Sequence, residues 1–241
     1  IMAEVGKVTS FDMVKTMDKE DAIAKGLYIV LDDSIDEEYF KAVRALSIHP
    51  EIIKEMAKEI KIVYTPLHGS GLLPVTRVLS DLGFEQVFVE PQQAIADGNF
   101  PTCPSPNPES AAAFELALAL AKEKDADIVL ATDPDADRLG VYCKDTKSGE
   151  YVSFTGNMSA MLIAEYMLAE KTKMGTMPQN PVFVESIVST AMGQAIASAY
   201  DVEYMETLTG FKYIGEKIRE FEAAGDKNYV FGMEESYGCL P

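Results

Sequence analysis

Between residues 61 and 231 the chain alternates short apolar runs with longer amphipathic stretches, and this alternation most constrains its fold. Runs over 61–65, 86–89, 127–131, 181–185, 202–206 and 229–231 have the length and composition of buried strands. Stretches over 72–82, 107–121, 156–171, 190–200 and 211–223 carry helical spacing. Strand and helix in repetition predict two consecutive α/β domains with mixed, largely parallel sheets covered by helices. Two further strands are expected over 139–143 and 151–154, joined around Lys147-Ser148-Gly149. Gly83 suits a left-handed helix end. Asn107 and Pro108 read as an N-cap and first helical position.

Upstream, Tyr39, Phe40, Val43 and Leu46 predict a helix from about residue 36, capped by Ser34 or Asp36, and a second helix follows over 50–59. Residues 1–35 show no clear period. The expected division is a tail over 1–35, one domain over 36–150 and another over 151–241. No sequence repeat relates the halves, although they could share a topology. Ile1 precedes Met2, and the chain stops at Gly238-Cys239-Leu240-Pro241 straight after a polar motif. Both ends therefore read as cut from something longer.

A formal net charge of −18 disfavours nucleic acid and anionic membranes as partners. No apolar run approaches the ~20 residues of a membrane span. Cys103, Cys143 and Cys239 lack metal-like spacing and suit a reducing compartment, so a cytoplasmic location is expected. The methionines at 158, 161 and 167 read as core filler on a helix.

Four unusual loops follow predicted strands, and in open α/β sheets ligands bind at the carboxyl ends of strands. In Asp133-Pro134-Asp135-Ala136-Asp137-Arg138, alternate carboxylates can point at one hard cation such as Mg²⁺, with Arg138 facing a phosphoryl group beside it. An EF-hand is excluded, because its sixth and twelfth positions would be Arg138 and Lys144. A phosphatase using Asp133 as nucleophile remains open, as does a plain solvated turn. Thr209-Gly210-Phe211-Lys212 opens a helix whose free N–H groups suit a phosphate or polar sugar. Glu234 and Ser236, on one side of an extended loop, suit sugar hydroxyls. His68, in Thr65-Pro66-Leu67-His68-Gly69, is expected to hold its loop rather than touch a ligand.

Taken in order, these loops and the continuations Tyr213-Ile214-Gly215 and Tyr237-Gly238 resemble the phosphoglucomutase/phosphomannomutase family from about residue 36 onward. The resemblance implies the second and third of four domains around one cleft. It implies Mg²⁺ on Asp133, Asp135 and Asp137, and Arg138 beside the transferred phosphate. Thr209, Gly210 and Lys212 fall on the loop that meets the sugar phosphate, and Glu234 and Ser236 on the pair that holds sugar hydroxyls. Sugar phosphates and a sugar bisphosphate are the implied partners, with a phosphoserine on the first domain as phosphoryl donor. That serine loop and the fourth, phosphate-binding domain are absent from this sequence. Relatives of this branch commonly carry lysine at the position of Glu185, where a carboxylate is expected to repel phosphate. A non-catalytic sugar-phosphate binding module stands as the alternative from another functional class.

Overall fold

The computed structural model describes every residue from Ile1 to Pro241 and divides into two units, Ile1–Ala42 and Val43–Pro241. The first unit contains α1 (Met2–Val5), a 3₁₀ turn (Phe11–Met13), α2 (Lys19–Ala24) and the start of α3 (Ser34–Ala45). Asp18 caps α2 by accepting from the N–H groups of Glu20 and Asp21. At α3 it is Asp32, rather than Ser34 or Asp36, that accepts a backbone N–H, from Ser34 at 3.0 Å.

The second unit begins with α4 (Pro50–Met56), then β1 (Lys61–Thr65), α5 (Leu72–Asp81), β2 (Gln86–Val89), α6 (Glu115–Lys124), β3 (Ile128–Thr132), β4 (Leu139–Lys144) and β5 (Tyr151–Phe154). These five strands form one sheet in the order β2-β1-β3-β4-β5. Strand β1 is parallel to β2 and β3, whereas β4 runs antiparallel to β3 and β5. A second series follows: α7 (Gly156–Met174), β6 (Pro181–Ser186), α8 (Met192–Ala199), β7 (Glu203–Thr207), α9 (Phe211–Ala224), β8 (Asn228–Glu234) and β9 (Gly238–Leu240). Its sheet has the order β7-β6-β8-β9, parallel except for β9. The fold is thus two consecutive α/β domains with mixed sheets. The halves share one topology through their first four strands, in the absence of a visible sequence repeat. No helix is long and apolar enough to cross a membrane.

Two expectations require correction. Asn107 does not cap a helix. Its Oδ1 accepts from the Glu109 N–H at 2.9 Å, a local turn that competes with helix. Helical structure starts only at the 3₁₀ turn Ala111–Phe114, ahead of α6. Strand β9 is not foreseen by the sequence, where the last expected strand ends at residue 231 and a loop follows. In the fold Gly232 lies inside β8, and Gly238 opens β9.

Strand alternation distributes the second core. Val182 and Val184 face α9 with Ile214 and Phe221, while Phe183 faces α7 and α8 with Phe231 and Leu168. In the first sheet, Ala117 and Ala121 let α6 pack closely over Val63, Val129 and Ala131.

Candidate active site

The crevice between β1 and β3 is a topological switch point, because the chain leaves β1 to one side for β2 and returns to the other for β3. The loop after β3 brings Asp133, Asp135 and Asp137 together, with one carboxylate oxygen from each lying within 4.8 Å of the others. The turn closes through the Ala136 N–H on the Asp133 carbonyl at 3.0 Å, with Ala136 left-handed at φ 60°. Asp133 is 8% exposed, and its pKa is pushed up to about 6 by burial, with the charges of Asp137 and Asp135 adding to the shift. One buried and two exposed carboxylates make a set of mutually repelling hard oxygen donors that a divalent cation relieves.

Arg138 is tied to this loop in several ways. Its backbone N–H donates to Asp133 Oδ1 at 3.1 Å. Its Nε lies 3.8 Å from Asp133 Oδ2 and from Asp137 Oδ1. Its Nη1 donates to Glu109 Oε1 at 3.0 Å.

The loop after β1 supports the acidic loop from below. Both the N–H and the hydroxyl of Ser70 donate to the Pro134 carbonyl, at 2.8 and 3.0 Å. The Tyr64 hydroxyl meets Thr132 Oγ1 at 2.8 Å. His68 is buried, and its ring nitrogens meet the Ile95 carbonyl and Thr102 Oγ1, each at 2.8 Å. It braces the long loop after β2, which is the structural role expected from the sequence.

In the second sheet, the β8–β9 turn occupies the place of the acidic loop. The Glu234 carboxylate accepts from the Gly210 N–H at the head of α9, where Gly210 adopts φ 125°. Thr209 and Lys212 are exposed there, with Lys212 Nζ lying 4.7 Å from the Tyr213 ring centre. Ser236 is half-buried in the turn. Glu235 Oε2 accepts from Ser186 Oγ at 3.0 Å, and Ser186 Oγ meets Ser189 Oγ at 2.7 Å. The acidic loop and the β8–β9 turn adjoin directly, since the Leu139 N–H donates to the Tyr237 carbonyl at 2.9 Å.

Residues 37–149 match the family model for phosphoglucomutase/phosphomannomutase, alpha/beta/alpha domain II. Residues 155–240 match the model for alpha/beta/alpha domain III of the same family. The chain belongs to the phosphoglucomutase/phosphomannomutase family. It is 36% identical over 207 residues to a phosphoglucomutase of Staphylococcus epidermidis, covering 86% of this chain and 36% of that protein. With a phosphoglucomutase of Staphylococcus haemolyticus it shares 37% over 182 residues, or 76% of this chain and 32% of that one. The chain therefore spans about a third of the length of these curated relatives. Among solved structures, a putative phosphomannomutase from Thermus thermophilus aligns with TM-score 0.62 at 23% identity, over 88% of this chain and 43% of that one. Parafusin, a phosphoglucomutase from Paramecium, aligns with TM-score 0.59 at 21% identity, over 84% of this chain and 34% of that one. These two likenesses concern the fold.

Within this phosphohexomutase fold, the Glu185 carboxyl is buried. It is 1% exposed on β6, and its Oε1 accepts from the Tyr204 hydroxyl at 2.6 Å. That hydroxyl also meets Glu206 Oε1 at 3.0 Å, and one proton cannot serve both carboxylates at once. Glu185 Oε2 has no partner. Burial pushes the Glu185 pKa up, and the charge of Glu206 adds to the shift. A carboxyl held neutral by the fold stabilises it most at pH below the ordinary carboxylate range, and that stability is lost as pH rises through the raised value. Glu185→Gln is expected to flatten this dependence and to be the more stable of the two proteins at pH 8, because the amide cannot lose a proton there. Urea unfolding from pH 4.5 to 8.5 measures it; parallel curves for the two proteins would refute the neutral-carboxyl assignment.

Two features of the site are not singled out by the sequence: Glu109, and the contact of Ser186 and Ser189 with Glu235 of the Glu234-Glu235-Ser236 motif. The only sequence hint of the first is the turn-forming Asn107-Pro108 before it. The second has none, because its members lie on separate strand ends.

Proposed function

We propose that this chain forms the metal- and sugar-binding part of a phosphohexomutase that interconverts sugar 1-phosphate and 6-phosphate, with glucose as the sugar. The reading rests on one observation: the three-aspartate loop and the Glu234–Ser236 turn lie side by side at equivalent places in two sheets. Phosphoglucomutases as relatives support the choice of glucose over mannose or a pentose. The phosphoserine donor and the remaining phosphate contacts are assigned to parts of the polypeptide outside this chain, and residues 1–35 to the tail of a preceding domain. The reaction passes through a sugar bisphosphate. Three unpaired cysteines agree with the cytoplasm as its compartment.

In this reading each residue has one role, which its placement supports. Asp133, Asp135 and Asp137 hold Mg²⁺, which supplies charge stabilisation to a phosphoryl group in transfer. Arg138, partly exposed beside them, offers a planar donor edge to the same phosphoryl oxygens. Thr209, Gly210 and Lys212 at the head of α9 receive the sugar phosphate. Glu234, fixed through one oxygen by Gly210, presents the other to a sugar hydroxyl, and Ser236 takes a neighbouring one. Orienting the sugar in this way is what allows either of its phosphates to be presented in turn.

The test is binding of glucose 1,6-bisphosphate to the purified chain in Mg²⁺, followed calorimetrically. Glu234→Gln and Ser236→Ala are each expected to lower affinity by roughly tenfold or more, the loss of one hydrogen bond worth roughly 1.5–3 kcal/mol, while Mg²⁺ affinity stays unchanged. The chain alone should show no sustained conversion of glucose 1-phosphate in a coupled assay. Unaltered bisphosphate affinity in both variants, or sustained turnover by the chain, would overturn the assignment.

A further inference from the structure

The Arg138 guanidinium has three carboxylates within reach but hydrogen-bonds to only one of them. Nη1 donates to Glu109 at 3.0 Å, whereas Nε stands 3.8 Å from both Asp133 and Asp137, beyond hydrogen-bond distance. Glu109 comes from a different part of the chain and is delivered by a built turn. Asn107 Oδ1 accepts from the Glu109 N–H at 2.9 Å, and the Ser110 N–H donates to the Asn107 carbonyl at 2.9 Å. The segment upstream is pinned by His68 through Thr102.

We propose that Glu109 is a positioning residue that draws the Arg138 guanidinium away from Asp133 and Asp137, leaving their oxygens open to the divalent cation. This rests on the metal reading above and extends it to a residue outside the acidic loop. Without Glu109, the nearest acceptors for the guanidinium are two of the three metal-binding carboxylates. The side chain would close the 3.8 Å gaps and compete with the metal for the same oxygens. With Glu109 in place, the arginine stays next to the loop and 36% exposed, available to a phosphoryl oxygen. An internal cation that blocks the site is thereby kept as one that assists it.

Mn²⁺ binding to the purified chain, measured by electron paramagnetic resonance at low salt, tests this without any turnover. Glu109→Ala should weaken Mn²⁺ binding about two- to fivefold, the scale of one partly exposed ion pair. Arg138→Ala should bind Mn²⁺ as tightly as the unaltered chain or more so. In the Arg138→Ala background, Glu109→Ala should have little further effect. Glu109→Gln keeps an oxygen acceptor for Nη1 and should recover part of the loss. A carboxylate acting only through its own field would give equal losses for Ala and Gln, and the same loss with or without Arg138. Either pattern would overturn the proposal and leave the metal site standing. Failure of the unaltered chain to bind Mn²⁺ would overturn the metal reading and this inference with it.

Discussion

Asp133→Asn is expected to remove measurable Mg²⁺ binding and, in metal-free buffer at pH 7.5, to raise the melting temperature of the chain. The two effects have one origin. Asp133 is buried and carries a charge that Asp135 and Asp137 oppose, so its proton is held to about pH 6. Because its pKa in the fold lies above its unfolded value, its contribution to stability is full in acid and is lost as pH rises toward about 6. Asparagine removes the charge but keeps an oxygen for the Arg138 N–H. A gain of about 1 kcal/mol corresponds to roughly 2–4 °C for a chain of this size. The same oxygen set loses a charged ligand, and Mg²⁺ binds through carboxylates more than amides. Mg²⁺ should therefore stabilise the unaltered chain by mass action and leave the variant where it was. Thermal melts with and without Mg²⁺ decide it: an equal Mg²⁺-induced rise in the two proteins would remove Asp133 from the site.

The sites are legible in the sequence to the extent that chemistry is concentrated in loops following strands. Asp133-Pro134-Asp135-Ala136-Asp137-Arg138 and Glu234-Glu235-Ser236 announce themselves because such residues have no place in a core. The placement of Glu185 is not legible for the complementary reason. Val182 through Ser186 are all buried, so β6 has no polar-and-apolar alternation to say which way a side chain points. Nothing in Val-Phe-Val-Glu-Ser distinguishes a carboxyl aimed into the cleft from one under Tyr204. Glu109 is invisible because its partner lies 29 residues away, and its turn has the residues of a helix start. Strand β9 escapes because three residues, the first of them a glycine, carry too little period to be recognised. The common topology of the two halves is likewise invisible as a repeat. Strand order depends on which apolar runs pair, and many different apolar sequences satisfy the same pairing.

Gly69→Ala is expected to unseat the acidic loop, although Gly69 carries no functional group. A Cβ there would overlap the Pro134 Cα and lie 2.5 Å from the Pro134 carbonyl oxygen and 2.7 Å from its carbonyl carbon. All three are backbone atoms, so no rotamer change relieves the clash. The neighbouring Ser70 holds that same carbonyl through two hydrogen bonds, so the loops separate only by breaking them. Overpacking of this kind costs roughly 1–3 kcal/mol or more, about 2–4 °C in melting temperature per kcal/mol for a chain of this size. The displacement acts on the residue next to Asp133, so Mn²⁺ affinity should fall along with stability. Gly156→Ala provides a contrast within the same molecule. Its Cβ would overlap the Glu235 carbonyl oxygen and lie 2.6 Å from the Tyr237 nitrogen. It should therefore disturb the Glu234–Ser236 turn and, on the proposed reading, weaken bisphosphate binding more than Mn²⁺ binding. Gly215, inside α9, is the control, because a Cβ added there would meet nothing within 4 Å. Alanine at that position should stabilise the chain by up to about 1 kcal/mol through helix propensity alone. Melts and Mn²⁺ titrations of the three variants separate close approach from a general intolerance of alanine. A Gly69→Ala chain as stable as Gly215→Ala, with unchanged Mn²⁺ affinity, would mean that the loop after β1 does not set the position of the metal ligands.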